Sequence, residues 1–118
     1  MPITIYGIKN CDTMKKARAW LDKRGVDYAF HDYKTAGIER AQLEHWCKKV
    51  GWDTLLNRAG TTFRKLPDKD KNGLDAKKAI ALMLVQPSMI KRPVLSLGRG
   101  KLLVGFAPET YSAAVARN

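Results

Sequence analysis

The amino-acid sequence predicts an α/β fold: a four-stranded mixed sheet flanked by helices, with a helical insertion between the second and third strands. Two observations lead to this prediction. The chain opens with a strand, a helix and a second strand, an order that normally gives parallel pairing through a right-handed crossover. Near its end, two short apolar runs lie on either side of Gly98-Arg99-Gly100, which is typical of an antiparallel hairpin.

The opening strand–helix–strand unit follows from local patterns. Alternating apolar and polar residues predict a first strand over residues 2–6 and a second over residues 26–31. Between them, residues 13–24 carry apolar side chains at helical spacing and are followed by Gly25, a residue type that commonly ends helices. We therefore expect an amphipathic helix between two parallel strands.

The rest of the chain predicts mainly helix before the hairpin. Residues 39–50 and 75–85 have apolar residues at helical spacing, and Asp75 is placed to cap the second of these helices. The other predicted segments are a short helical turn (52–56), a polar glycine-containing segment (57–66), a solvated loop or loosened helix (67–73), the hairpin strands (90–97 and 101–106) and a last helix from Pro108 through Val115. This order is the thioredoxin-like layout. A chain of 118 residues is long enough for one core, so we expect one domain over residues 1–118.

Composition limits the classes of partner. The chain has 22 Lys and Arg against 11 Asp and Glu, a net charge of +11, which favours nucleic acid, an acidic protein surface or a small anion. The charges are spread without a run of roughly five or six, which argues against a nucleic-acid-binding arm. No apolar run approaches the ~20 residues that span a bilayer, and the N-terminus lacks the pattern of a secretory signal. We expect a cytoplasmic protein without a membrane partner, and no feature requires more than a monomer.

Cys11 is the candidate nucleophile. It follows the first predicted strand and precedes the first turn of a basic helix, where free backbone N–H groups and the helix dipole favour a thiolate. Lys9, Lys15 and Lys16 add positive charge nearby. Lowering a pKa of ~8.5 by about 2 would ionise most of the thiol at neutral pH. The alternative is that Cys11 is a small buried hydrophobic residue.

The other cysteine and the histidines predict no further chemistry. Cys47 lies on the apolar stripe of the helix at 39–50, which favours a core cysteine over a redox partner. His31 and His45 have no motif around them. Neither cysteine has the spacing of a zinc site, and a disulfide is not expected in a reducing compartment. We therefore expect no metal site.

Four separated segments resemble the arsenate reductase family, which includes the ArsC, Spx and YffB-like branches. They are residues 5–17, 57–66, 87–95 and 103–106. The resemblance covers essentially the whole chain and is closest to the YffB-like branch. It implies a thiol–disulfide oxidoreductase with no bound cofactor, for which glutathione or a glutaredoxin-like protein supplies the reducing thiol. It also leaves two alternatives: an Spx-like regulator that binds RNA polymerase, and a weak arsenate reductase.

The resemblance implies roles for individual cations. Cys11 is expected to be the nucleophile and Arg92 to bind anionic substrate, with a cis peptide bond before Pro93. Without the resemblance, Pro93 would simply begin a strand. Arg58, with Arg64 as a second candidate, corresponds to another anion-binding arginine, although on the sequence alone either is a solvated surface charge.

Three neighbours of Cys11 are expected to support the thiolate. Lys9 adds charge and Asn10 is part of the matching motif. Thr13, or alternatively Asp12, has the short polar side chain needed to cap the helix or to hydrogen-bond the thiolate.

The chain departs from the family pattern in two places. Arsenate-reducing members have a third arginine where this chain has Val104-Gly105-Phe106, and losing such a partner would cost an oxyanion about 1.5–3 kcal/mol. Arsenate reduction is therefore not expected, unless Arg99 on the hairpin substitutes. Met14 occupies the second cysteine position of the Cys-x-x-Cys switch found in regulators. The resolving thiol must then come from another molecule.

Overall fold

The computed structural model describes residues 3–116, apart from the side chains of residues 99 and 116. Two compact units divide the chain: Met1–Ala36 with Arg92–Asn118, and Gly37–Lys91. The predicted start of the first strand at Pro2 and the direction of the Arg99 side chain lie outside the described part. Within that part, no helix has both the length and the apolar composition needed to cross a membrane.

The first unit contains the predicted four-stranded mixed sheet. Its strands are β1 (Thr4–Gly7), β2 (Ala29–Asp32), β3 (Val94–Ser96) and β4 (Leu102–Val104). Their order is β2-β1-β3-β4, with β1 parallel to β2 and β3 antiparallel to both β1 and β4. The parallel opening unit and the antiparallel hairpin are therefore confirmed, and the topology is thioredoxin-like.

Helices lie between and after the strands. They are α1 (Asp12–Lys23), α2 (Tyr33–Ala36), α3 (Arg40–Val50), α4 (Trp52–Leu55), α5 (Thr61–Arg64), α6 (Asp68–Lys71), α7 (Ala76–Val85) and α8 (Pro108–Ala116), with 3-10 turns at Pro87–Met89 and Gly98–Gly100. The segment between β2 and β3 is helical, as predicted. For residues 67–73 the sequence left two alternatives, a solvated loop or a loosened helix. The structure has the short helix α6 there.

Helices α1 and α8 bury their apolar stripes against one face of the sheet. The shared core consists of Ile3, Ile5, Met14, Ala17, Leu21, Leu95, Leu97, Tyr111 and Ala114. Removing these side chains from water is the main favourable contribution to folding, at about 25 cal/mol for each Å² of apolar surface. Helix α1 ends at Lys23, and Arg24 caps it. Gly25 comes next with φ of 69°, a left-handed conformation that commonly ends helices.

The second unit is built on α3 and α7. Asp75 caps α7, as predicted, because its carboxylate accepts a hydrogen bond from the Lys78 backbone N–H at 2.8 Å. The buried residues of these helices are Leu43, Trp46, Ala79, Ile80 and Met83. An antiparallel bridge pairs Leu56, just after α4, with Ile90, near the end of this unit.

Several predicted boundaries are wrong for local reasons. The second strand begins at Ala29 rather than residue 26, and the Tyr28 hydroxyl instead donates a hydrogen bond to Asp22 at 3.0 Å. The third strand begins at Val94 rather than residue 90, because Ile90 pairs with Leu56 in the second unit and a cis peptide bond precedes Pro93. Polar segment 57–66 contains α5, which sequence periodicity did not reveal.

Gly7, the last residue of β1, has no room for a side chain. A Cβ at this position would overlap the thioether of Met14, which is fully buried in α1. Met14 therefore fills the space beside the strand that leads to Cys11. The close contact explains why this strand ends on glycine.

Gly7→Ala is expected to lower the free energy of unfolding by about 1–3 kcal/mol, because the new methyl group must displace Met14. Urea unfolding measures the loss. The matched control repeats Gly7→Ala in a Met14→Ala background, where the overlapping atoms are gone and the cost should be smaller. Equal costs in both backgrounds would contradict the proposed contact.

Candidate active site

Strand register brings the ends of three segments to one edge of the sheet. Gly7 at the end of β1 pairs with Asp32 at the end of β2, and Tyr6 pairs with Val94 at the start of β3. The loop carrying Cys11 leaves β1 at this edge, and Arg92 reaches it just before β3 begins. Carboxyl ends of parallel strands are where α/β folds usually bind ligands.

Cys11 occupies the N-cap position of α1. Its backbone is extended, with φ of −136° and ψ of 128°, and its side chain is half-buried against the core. The backbone N–H groups of Met14 and Thr13 approach the thiol, although neither contact has the geometry of a full side-chain cap. The sulfur is therefore placed where a helix N-terminus favours negative charge.

Arg92 supplies the side-chain contact with the thiol. Partial burial by itself raises the pKa of Cys11. The Met14 N–H, a hydrogen bond and charge from the Arg92 guanidinium, and the Thr13 N–H outweigh this effect, so the pKa of Cys11 lies below its ordinary value. Arg92 thus acts on the Cys11 thiol itself, and its predicted role in binding anionic substrate stays a prediction.

The cis peptide bond predicted before Pro93 is confirmed at Arg92–Pro93. Arg92 is half-buried, and its Nε atom is fully enclosed. Pro93 is buried, and its carbonyl accepts a hydrogen bond from the Gly105 N–H at 2.8 Å. This bond ties the segment that carries Arg92 to the end of β4.

The predicted supporting residues contribute less through their side chains. Lys9 and Asn10 are exposed, as are Lys15 and Lys16 on α1. Charges in such positions are screened by solvent, and the causes of the lowered Cys11 pKa are Arg92 and backbone N–H groups instead. Because Cys11 itself is the N-cap residue, neither Asp12 nor Thr13 caps the helix. Thr13 acts through its backbone.

Three aromatic side chains that the sequence analysis did not single out stand at the same edge. Tyr6 and His31 are register partners with ring centroids 5.0 Å apart, and Tyr33 lies 6.5 Å from Tyr6 and 6.2 Å from His31. Tyr33 directly follows β2 and is 2% exposed. The signal available in the sequence was its position, since a residue just after β2 must lie near the end of β1.

The segment Val104-Gly105-Phe106, which carries no cation, is held by backbone and aromatic contacts. Gly105 has φ of 88°, a left-handed conformation that strains any side chain. Its carbonyl accepts a hydrogen bond from the Tyr111 hydroxyl at 2.9 Å. Phe106 packs edge-on against Tyr111, with ring centroids 4.9 Å apart. An apolar aromatic contact thus takes the place where the family pattern would have an arginine.

The remaining predicted site residues belong to the second unit. Arg58 is exposed and its guanidinium lies 5.6 Å from the centroid of the Trp52 ring. Arg64 is exposed, and its carbonyl accepts a hydrogen bond from Lys71 at 2.7 Å. Both of these contacts are made within the second unit. The role of Arg58 and Arg64 in anion binding stays a prediction.

Cys47 is not the fully enclosed core residue that its stripe predicted. It is half-buried on α3 and lines a shallow cavity beside Ala76 and Ile80 of α7. Burial raises the pKa of its thiol, so Cys47 favours the protonated form. Over the residues described, neither cysteine forms a disulfide and no three His, Cys, Asp or Glu side chains are grouped to hold a metal ion.

Comparison with known proteins confirms the resemblance seen in the motifs. The ArsC family pattern matches residues 6–114. The chain is 64% identical to a solved YffB protein, with a TM-score of 0.92 and coverage of 95% of this chain and 97% of that one. It is 59% identical to a solved arsenate reductase (ArsC) related protein from Brucella melitensis, with a TM-score of 0.78 and coverage of 98% and 95%. The global transcriptional regulator Spx of Streptococcus pneumoniae is 25% identical over 118 residues, which cover 98% of this chain and 87% of Spx.

Replacing Arg92 should make Cys11 a slower nucleophile. In a Cys47→Ser background, Arg92→Met is expected to slow alkylation of Cys11 by iodoacetamide at about pH 6.5, because removing the guanidinium raises the pKa of the thiol toward the ~8.5 of free cysteine. At a pH well above both pKa values the difference should shrink. Peptide mass spectrometry measures the rate at each pH.

The matched control is Lys16→Met, which removes an exposed cation from the same region. It should leave the rate at about pH 6.5 nearly unchanged. Equal losses in the two variants would mean that overall charge, and not the contact with Arg92, activates the thiol.

Proposed function

Because the chain belongs to the ArsC family, we propose that it is a thiol–disulfide oxidoreductase in which Cys11 is the single nucleophile and glutathione the reductant. The observation that carries this proposal is the contact between the Cys11 thiol and the Arg92 guanidinium, which lowers the pKa of the thiol at the amino end of a helix. A thiolate at neutral pH is the form that attacks a disulfide.

The reaction takes two exchange steps. The Cys11 thiolate attacks one sulfur of a disulfide, so the original S–S bond breaks, a mixed disulfide forms at Cys11 and the other half leaves as a thiolate. A glutathione thiolate then attacks the mixed disulfide and releases Cys11 as a thiolate. When the first substrate is itself a glutathione mixed disulfide, the products are a free thiol and oxidised glutathione. Overall, the sulfur of the attacking glutathione is oxidised from a thiol to a disulfide sulfur, the target sulfur is reduced to a thiol, and Cys11 ends as the thiolate it began as.

The residues around Cys11 support the proposal of an external resolving thiol. The position that would hold a second cysteine in a Cys-x-x-Cys motif is Met14, which is fully buried and in contact with Gly7. A methionine cannot resolve a disulfide. Burial raises the pKa of the Cys47 thiol, so Cys47 is not an activated thiol either. Glutathione, or a glutaredoxin-like protein, fills this role in the proposal.

Glutathione also matches the charge of the protein. It carries carboxylates, and Arg92 beside the thiol can pair with one of them in a charge-assisted hydrogen bond. Arg58 and Arg64 are proposed to bind further anionic groups. The net charge of +11 favours approach of any such anion. Glutathione and reduced thiols belong to the cytoplasm, which is the compartment we propose.

Arsenate is a poorer substrate in this proposal. An oxyanion at the thiol would find Arg92, but the segment at 104–106 offers Gly105 and Phe106 in place of a cation. The missing charge-assisted bond is worth about 1.5–3 kcal/mol, or roughly one to two decades of affinity. Turnover with arsenate and glutathione should therefore be low.

A regulatory role is the second candidate, and the similarity to the global transcriptional regulator Spx favours it. In this alternative the chain would bind RNA polymerase through a cationic surface and perform no catalysis. The two candidates differ in their dependence on Cys11. A regulator with no redox step would retain polymerase binding in a Cys11→Ser variant.

The proposed function predicts opposite results for the two cysteines. With a glutathione-mixed-disulfide peptide as substrate and glutathione as reductant, Cys11→Ser should abolish turnover, whereas Cys47→Ser should retain it. Mass spectrometry of the oxidised protein should find one glutathione on Cys11, because no internal thiol removes it.

Two outcomes would reject the proposal. Turnover that survives Cys11→Ser would exclude Cys11 as the nucleophile. Absence of both turnover and a Cys11–glutathione adduct, together with capture of RNA polymerase by the parent and by Cys11→Ser, would favour the regulator instead.

A further inference from the structure

Tyr33 presents a buried hydroxyl that the proposed function does not yet use. The side chain is 2% exposed, and its hydroxyl oxygen is buried without a hydrogen bond to any described residue. Leaving such a group unsatisfied costs stability, so a buried hydroxyl without a hydrogen bond requires an explanation. Phenylalanine would fill the same space without this cost.

The hydroxyl belongs to the edge of the sheet that holds Cys11. Tyr33 directly follows Asp32, the register partner of Gly7, and Arg92 lies just before the residues that pair with Tyr6. The Tyr33 ring is stacked 6.5 Å from that of Tyr6. Its hydroxyl is also within electrostatic range of the Arg92 charge. Tyr33 and Arg92 therefore approach the Cys11 loop from the strands on either side of β1.

The hydroxyl keeps its proton at any physiological pH. Burial and the neighbouring Tyr6 raise the pKa of Tyr33 far above its ordinary value, and the Arg92 charge lowers it only in part. Tyr33 is thus a neutral hydrogen-bond donor within electrostatic range of the Arg92 cation. An anionic acceptor such as a carboxylate could accept a hydrogen bond from the Tyr33 hydroxyl and be attracted by the Arg92 charge.

We propose that Tyr33 is a further anion-binding residue, whose hydroxyl donates a hydrogen bond to the same substrate carboxylate that pairs with Arg92. The substrate class is then a small disulfide or thiol with a carboxylate close to its sulfur. This inference rests on the proposed role of Cys11 as the reacting thiol. It adds a neutral donor to the binding site and explains why position 33 carries a hydroxyl that costs stability in the free protein.

Alkylation with a matched pair of reagents tests the proposal without glutathione. Iodoacetate carries a carboxylate and iodoacetamide does not. With either reagent the Cys11 thiolate forms an S–C bond and iodide leaves. Rates are measured in a Cys47→Ser background, and the ratio of the iodoacetate rate to the iodoacetamide rate isolates recognition of the carboxylate from the reactivity of the thiol.

Tyr33→Phe should lower this ratio about 10-fold, the lower range for a lost hydrogen bond to a charged group. The iodoacetamide rate should stay within about twofold, and the Tm should be unchanged or higher, because the variant removes a buried unsatisfied hydroxyl. Tyr28→Phe is the matched control. It removes a phenol hydroxyl that bonds Asp22 just before β2, at the opposite end of that strand, and the ratio should not change.

A ratio that stays within about twofold of the parent value in Tyr33→Phe overturns the proposal, whatever happens to the Tm. Equal losses with both reagents also overturn it, since they would show a structural effect on the thiol. Failure of the glutathione reaction described above would reject the proposed function and leave this ratio intact. The two proposals therefore fail in distinguishable ways.

Discussion

The proposed chemistry of this chain depends on a sulfur atom held between the amino end of a helix and a guanidinium group. Cys11 is only half-buried, and that burial by itself disfavours the thiolate. The Arg92 charge and the first-turn N–H groups reverse the balance. A free thiol is only about 3% ionised at neutral pH, so a modest fall in pKa changes the supply of nucleophile many-fold.

Backbone pairing maintains that contact. Arg92 is far from Cys11 in sequence, and the antiparallel register of β1 and β3 brings both to one edge. The cis peptide bond at Arg92–Pro93 and the hydrogen bond from Gly105 to Pro93 shape the segment that carries the arginine. On the other side of β1, the parallel register places Tyr33 at the same level. A short loop, two strand ends and one helix start thus form the site.

The order of elements was available from the sequence because each left a local pattern. Alternation marked the first two strands, apolar runs marked the hairpin, helical spacing marked α1, α3 and α7, and Gly25 marked the end of α1. The boundaries that failed depend on distant contacts: Ile90 pairs with Leu56 rather than continuing β3. Short helices such as α5 contain too few residues to show a period.

The site was only partly visible in the sequence. Cys11 could be identified from its position before a helix, and Arg92 from a family motif. The groups that lower the pKa of the thiol could not be identified from the sequence, because a count of charges does not distinguish the exposed lysines from the guanidinium of Arg92. Tyr33 could not be identified from the sequence, because only the folded structure shows that its hydroxyl is buried without a hydrogen bond. At residues 104–106, by contrast, the sequence already showed that no arginine is present. The structure adds the left-handed backbone of Gly105 and the packing of Phe106 against Tyr111.

The central claim is that the helix N-terminus and Arg92 lower the pKa of the Cys11 thiol, and direct titration tests it most closely. In a Cys47→Ser protein, the ultraviolet absorbance of the thiolate can be followed against pH, with the alkylated protein as the blank. We predict a single transition whose midpoint lies below the ordinary pKa of a cysteine thiol. A midpoint at or above that value would contradict it.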